Sequence, residues 1–256
     1  MPNLVATAVP SSRLWHIGFD VNVEPFNNIK VRQAMSLAVH REAICKISFQ
    51  GYARPARGMT TSACKYSKYD ETPPFKEDIV AAKKLLAEAG HPNGFSMKMI
   101  IADRTDHTSI ATILQANLKR VGIEVEIVPH EWGSWVDAVM QKGHTPYLNN
   151  FWGGPPAMDP FFLLQQAFHS NAIPTPNRTF HSDKELDALF DKGASLVDGP
   201  ERAALYGNIW DILNEKLLWV PLVEMSNLYG QRKEVKGIDH GPGMINYFSG
   251  AYFDTK

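Results

Sequence analysis

Two helix-then-strand units follow one another between Asp78 and Val128, and each helix closes on a glycine. Apolar residues recur at helical spacing from Ile79 to Ala89, Gly90 supplies the stop, and Phe95 to Ile101 then reads as a strand. The cycle repeats at once. Ile110, Ile113, Leu114, Leu118 and Val121 form one apolar helical face ending at Gly122, and Ile123 to Val128 alternates apolar with acidic residues as a half-buried strand does. Helices alternating with strands across short loops predict an α/β layered fold.

Composition narrows the function classes. With 256 residues, 44% of them hydrophobic and 21% charged, the chain can bury a substantial core as one large or two small domains. Lys plus Arg number 26 against 27 Asp plus Glu, a balance without the electrostatic footprint of a nucleic-acid binder or an anionic-lipid binder. No apolar run approaches the roughly twenty residues needed to span a bilayer. Met1 to Ala6 lacks the basic and apolar regions of a signal peptide, so no export signal is read in this chain. Cys45 falls in an apolar helix and Cys64 in a polar loop. Their spacing does not resemble a metal knuckle, and a disulfide between them is left open.

Along the chain, Leu14 to Phe19 reads as a first strand, Asn28 as an N-cap, and Ile29 to about Phe49 as one long helix. Gly51 to Pro74 is a surface loop long enough to be functional. Trp132 to Gln141 is a short helix, and Thr145 to Trp152 is a strand leading into Gly153-Gly154-Pro155-Pro156. Asp159 caps a helix through Phe168, and Ser182-Asp183-Lys184-Glu185 is a capping box. Pro200 opens a further helix, Trp219 to Val223 is a strand, and the tail beyond Val235 is rich in glycine and aromatics.

Four of these stretches carry a resemblance. Val31 to Ile44, Ala81 to Gly90, Leu118-Lys119-Arg120-Val121-Gly122-Ile123 and Trp152-Gly153-Gly154 resemble, in order, landmarks of the family 5 extracellular solute-binding proteins of ABC importers, the dipeptide, oligopeptide and nickel binders. The resemblance implies a periplasmic-binding-protein lobe of type II, with a mixed sheet flanked by helices. Family members are longer, and these landmarks belong to their C-terminal half. The resemblance therefore implies a lead-in segment over 1–13, a ligand-contacting α/β lobe over 14–235, and a segment over 236–256 that returns to a first lobe lying outside this chain. It further implies a monomeric carrier that captures a peptide-like or other small solute and hands it to membrane permease subunits, in the periplasm or another extracytoplasmic space. No cofactor and no nucleic acid are expected.

Catalytic constellations are scarce. The chain holds no Gly-x-Ser-x-Gly, no phosphate loop, no Gly-x-Gly-x-x-Gly and no His-Glu-x-x-His, so no catalytic residue is assigned. The rival reading is a small α/β enzyme whose cleft uses Arg104 with His107 or His130. Nickel or metal-chelate binding is a second alternative, with His169 and His181 as the candidate pair and no metal ligand assigned.

For binding, ligands meet the carboxyl ends of strands in open α/β sheets, which directs attention to the segments after Ile101 and Phe151. Arg104 follows its strand directly, and its planar fork suits a carboxylate. In dipeptide-binding relatives an arginine in this loop holds the ligand's terminal carboxylate; the bland reading pairs Arg104 with Asp103 or Asp106. Trp152 beside Gly153 and Gly154 leaves a flat apolar face next to exposed backbone groups, suited to an extended ligand. Trp132 and Trp135 sit three apart on one helix, so one can face the cleft while the other packs, and for each the alternative is a core role. Where the resemblance calls for an aspartate that captures a free ammonium, this chain has Pro155. A longer peptide, an opine-like conjugate, a sugar or a metal chelate is therefore favoured over a dipeptide.

Overall fold

The computed structural model describes residues 3–151 and 158–254. Its centre is a six-stranded mixed sheet of β1 (Leu4–Gly18), β2 (Ala53–Pro55), β3 (Phe95–Ala102), β4 (Ile123–His130), β5 (Tyr147–Phe151) and β6 (Trp219–Arg232). Their spatial order is β2-β6-β1-β5-β3-β4. β3 runs parallel to β4 and β5, whereas β1 is antiparallel to β5 and β6, and β2 is antiparallel to β6.

The two expected cassettes make the parallel half. α3 (Ile79–Glu88) opens where the Asp78 carboxylate accepts from Ala81 N at 2.9 Å; β3, α4 (Thr105–Lys119) and β4 follow in turn. Gly94 and Gly122, which precede β3 and β4, have φ of +77° and +87°. A Cβ on Gly94 would lie 2.0 Å from the Gly122 carbonyl oxygen, so both handedness and contact demand glycine here.

Alternation along the strands divides the apolar residues between two faces. Trp15, Ile17, Leu148, Met99, Ile101 and Val125 belong to the core beneath α1 (Ile29–Ala38), α2 (Arg41–Ile47), α3 and α4. Leu14, Phe151 and Trp219 face the other way, under α6 (Gln166–Phe168), α7 (Lys184–Ser195) and α8 (Pro200–Lys216). Ile100, Ala102 and Tyr147 complete that second face beneath α5 (Trp132–Val139). The expected mixed sheet flanked by helices is therefore present.

Several boundaries differ from the sequence expectation. β1 begins at Leu4 rather than Leu14, because residues 4–10 pair with residues 226–232 in a two-stranded ribbon. Side chains such as Leu4, Val5 and Leu228 are exposed there, so this stretch carries no buried-face signal. The single helix expected from Ile29 to Phe49 breaks after Ala38. His40 N donates to Asn117 Oδ1 at 2.7 Å, while the Arg41 guanidinium folds back onto Ser36 O and Oγ, so tertiary partners take over from the helical ladder. The helix expected from Asp159 is a π-helical turn at Phe161–Gln165 running into α6. Asp183, not Ser182, caps α7, accepting from Glu185 N and Leu186 N. Cys45 and Cys64 are free and both buried, and burial pushes each thiol up to about 12, which corrects the placement of Cys64 in a polar loop.

Beyond β6 the chain forms two small ribbons, β7 (Val235–Lys236) with β10 (Tyr252–Phe253) and β8 (Asp239–His240) with β9 (Asn246–Tyr247). They are tied to the sheet where Ser12 N and Asn227 Nδ2 donate to Pro242 O and where Tyr229 stacks on His240 at 4.2 Å. Tyr247, Phe248, Tyr252 and Phe253 remain exposed.

Candidate functional site

The parallel strands deliver two exits to one edge of the sheet. β3 ends at Ala102 and passes through Asp103 and Arg104 into α4, while β4 ends at His130 and passes through Glu131 into α5. Asp103 N donates to His130 O at 2.7 Å, which locks the exits together. Glu131 caps α5 by accepting from Gly133 N at 2.7 Å and Ser134 N at 3.4 Å. The α5 start is thereby held with one of its two tryptophans covered and the other exposed. Trp135 is fully buried, and Trp132 is 53% exposed, stacked on it at 5.0 Å with an interplanar angle of 11°. An exposed indole backed by a buried one is a rigid apolar platform.

Arg104 lies at the same edge with its side chain 59% exposed. Its Nε and Nη2 sit 3.3 and 3.4 Å from the two Asp106 oxygens, the loose surface pairing of the bland alternative. Asp103, Arg104, Thr105, Thr108 and Ser109 line an open depression beside it. Arg13, which sequence reasoning passed over, comes from β1 toward the same place. Burial lowers its pKa, the like charge of Arg104 lowers it further, and Asp106 opposes the shift. Nothing local marks Arg13, since it follows a Pro-Ser-Ser stretch that reads as a turn.

The histidines of the enzyme alternative part company. His107 is buried, accepts from Ala102 N through Nδ1 at 3.4 Å and lies edge-on to Trp15 at 4.9 Å. Burial pushes its pKa down to about 4, so it is a neutral packing residue of the sheet edge. His130 is half-buried at the end of β4. The structure does not bring either histidine to a hydrogen bond with Arg104. His169 is buried against Asp187 and Asp191 at 3.4 and 3.3 Å, and His181 lies 3.7 Å from Asp183. Among the described residues no group of three or more His, Cys, Asp or Glu is placed to hold a metal ion. Trp152, Gly153, Gly154 and Pro155 lie outside the described residues.

Just beyond that stretch the structure shows a contact the sequence hid. Asp159 accepts from Phe161 N at 2.9 Å, as a cap does, and also takes a bidentate pair from Arg202 at 2.6 and 2.7 Å. Arg202 spends its Nε on Gly193 O and lies over the Tyr206 ring at 5.0 Å. Burial is the largest single influence on the carboxylate and raises its pKa, but Arg202, the Phe161 amide and Lys65 together outweigh it and hold the group below its usual range.

The family profile of bacterial extracellular solute-binding proteins, family 5 Middle, matches residues 1–173, and the chain belongs to that family. The glutathione-binding protein GsiB of Escherichia coli (strain K12) is 30% identical over 248 residues, covering 92% of this chain and 47% of its own. Heme-binding protein A of Haemophilus influenzae is 29% identical over 246 residues, covering 94% and 44%. The structure of HbpA2 from Haemophilus parasuis superposes with a TM-score of 0.90 at 25% identity over 98% of this chain and 50% of that one. DppA from Helicobacter pylori, a periplasmic binding protein in complex with the peptide STSA, gives 0.83 at 25% identity over 100% and 50%. GsiB, heme-binding protein A and DppA are binding proteins, and the chain spans about half the length of the relatives it matches.

Proposed function

We propose that this chain is the ligand-contacting lobe of an ABC-importer solute-binding protein, and that it takes up a small peptide-like solute at the carboxyl edge of its sheet for delivery to membrane permease subunits. One observation carries the reading: an exposed indole, Trp132, is held rigid on buried Trp135 beside exposed Arg104, at the edge where open α/β sheets bind their ligands. The role is binding without catalysis, and the setting is periplasmic or extracytoplasmic. The relatives named for glutathione and for heme, and the one bound to a tetrapeptide, support a ligand larger than a dipeptide.

The lobe is taken to run over 14–235, with 236–256 returning to a first lobe. The exposed aromatics of β9, β10 and Phe248, beside exposed Leu4, Val5 and Leu228, support an apolar face made for such a neighbour. Hydrogen exchange in this chain should be fast at Asn246–Tyr247 and Tyr252–Phe253 and should slow when the other lobe is supplied.

Calorimetry of the 256-residue chain with glutathione, with a tetrapeptide and with heme tests the reading. One lobe supplies only part of the enclosure, so binding should be millimolar or weaker, and Trp132→Ala should remove it. A submicromolar constant for this chain by itself would mean that it is not half of a closing pair. Binding that survives Trp132→Ala would move the ligand elsewhere.

A further inference from the structure

Behind Trp135 lies an arginine that the solute reading has not used. Arg178 stands in the loop between α6 and α7, and its backbone is held from several sides. Asn177, fully buried, donates through Nδ2 to His169 O and His181 O at 3.0 and 3.2 Å and accepts from Thr179 N and Oγ1 at 3.1 and 2.7 Å. The Arg178 carbonyl oxygen accepts from His144 Nε2 at 2.7 Å, and the Thr179 carbonyl oxygen accepts from Val21 N at 3.0 Å. All these bonds use backbone or neighbouring side chains, so the loop keeps its shape whatever the Arg178 side chain does.

That side chain runs inward and stacks its guanidinium over the Trp135 ring at 5.3 Å. It makes no ion pair and no hydrogen bond among the described residues, and Nε is buried without a partner. Other inward arginines differ: Arg32 and Arg41 donate to backbone carbonyls and Arg202 to Asp159. Beside Arg178 sits a second unspent group. His16 is fully buried and stacked on Trp219 at 3.9 Å. Its Nδ1 lies 3.3 Å from Leu14 O, which makes Nδ1 the protonated nitrogen, and Nε2 has no hydrogen-bond partner among the described residues. Burial pushes the His16 pKa down to about 3, the Leu14 carbonyl opposes that shift, and the Arg178 charge adds to it. Gly18 leaves room for this wall, since a Cβ there would lie 2.2 Å from the Tyr147 ring.

A half-buried cation without a counter-charge, on a loop braced to hold it still, costs free energy that an anion returns. We propose that Arg178 is the carboxylate anchor of the solute groove, so that the protein takes acidic, peptide-like ligands whose carboxylate docks on this guanidinium. The inference rests on the reading of the groove as a solute site. It gives the groove its charge preference: exposed Arg104 is paired loosely with Asp106, whereas the Arg178 fork is free to donate two charge-assisted hydrogen bonds.

The test has two arms on the same 256-residue chain. In the first, the indole N–H resonance of Trp135 is followed by NMR while acetate, or its neutral analogue acetamide, is added. Acetate should shift the resonance saturably in the millimolar range and acetamide should not; Arg178→Gln should abolish the response and Arg178→Lys should keep part of it. An acetate response unchanged in Arg178→Gln, or none in the wild type, overturns the anchor, and circular dichroism of both variants guards against misfolding. In the second arm, a tetrapeptide is compared with its C-terminal amide. The free acid should bind about tenfold tighter or more, and Arg178→Gln should erase the difference. Equal binding of the two peptides, with acetate still recognised, assigns the site to a free anion and overturns the solute carboxylate. Absence of peptide binding altogether overturns the solute reading, and the acetate arm then decides on Arg178 by itself.

Discussion

Arg41, at the corner between α1 and α2, and Arg178, on the loop before α7, both turn a guanidinium toward the interior, and they do opposite things with it. Arg41 is 3% exposed and donates to Pro221 O, Ser36 O and Ser36 Oγ at 2.9, 3.0 and 2.9 Å. Burial lowers its pKa to about 9, yet its donors are spent on groups that need them. Arg178 lies over an indole face and makes no hydrogen bond or ion pair with its side chain among the described residues. A buried cation whose donors are all used holds a fold together; one whose donors are idle is held by the fold for something else. Arg202 stands between them, its fork filled by Asp159.

The largest effect is expected at Arg41: Arg41→Met leaves two buried carbonyls and a hydroxyl without donors and should cost about 3 kcal/mol or more in urea unfolding. A loss comparable to that of a surface substitution would remove Arg41 from the fold-holding class. Acid should reveal the next effect through the buried histidines. His107 has a folded pKa near 4, below the ordinary value of 6.5, so the unfolded chain binds more protons between those two pH values. Its contribution is complete above pH 6.5 and is lost as pH falls toward 4, by about 3 kcal/mol at most. His16, pushed lower still, adds to the same limb. The thermal midpoint should therefore fall as pH drops below 6.5, and His107→Gln should flatten that fall; an unchanged slope would show that other groups set it.

Smaller effects sharpen the contrast. Arg202→Leu should cost about 1–2 kcal/mol, because the Asp159 carboxylate it abandons is partly exposed and water recovers some of the loss. Arg178→Gln should change stability by no more than about 0.5 kcal/mol, since the cation–π contact it gives up is offset by relief of an uncompensated charge. A destabilisation matching that of Arg41→Met would return Arg178 to the fold-holding class and leave the groove without its anchor.

Much of the fold was legible because its signals are short-range. The apolar period and stop glycine of α3 and α4, the alternation of β4 and the proline opening α8 each depend on neighbours within a few turns. The nearness of Trp132 and Trp135 was legible for the same reason, since residues three apart on a helix are neighbours, but which of them would be covered was not, because the core reading stood open for each. The break at Val39 was not legible, since it answers to Asn117, a partner far along the chain, and no local signal marks the π-helical turn at Phe161–Gln165.

The chain's own order of residues determined an α/β layer with two helix–strand cassettes and the glycines between them. Tertiary structure alone decided which guanidinium meets which partner. Arg41 finds Pro221 across 180 residues and Arg202 finds Asp159 across 43, while Arg178 finds a tryptophan in place of an acceptor. The reason is physical. Periodicity is written by backbone geometry that repeats every few residues, whereas the charge state and pairing of a buried group depend on which distant segments the folded sheet brings against it.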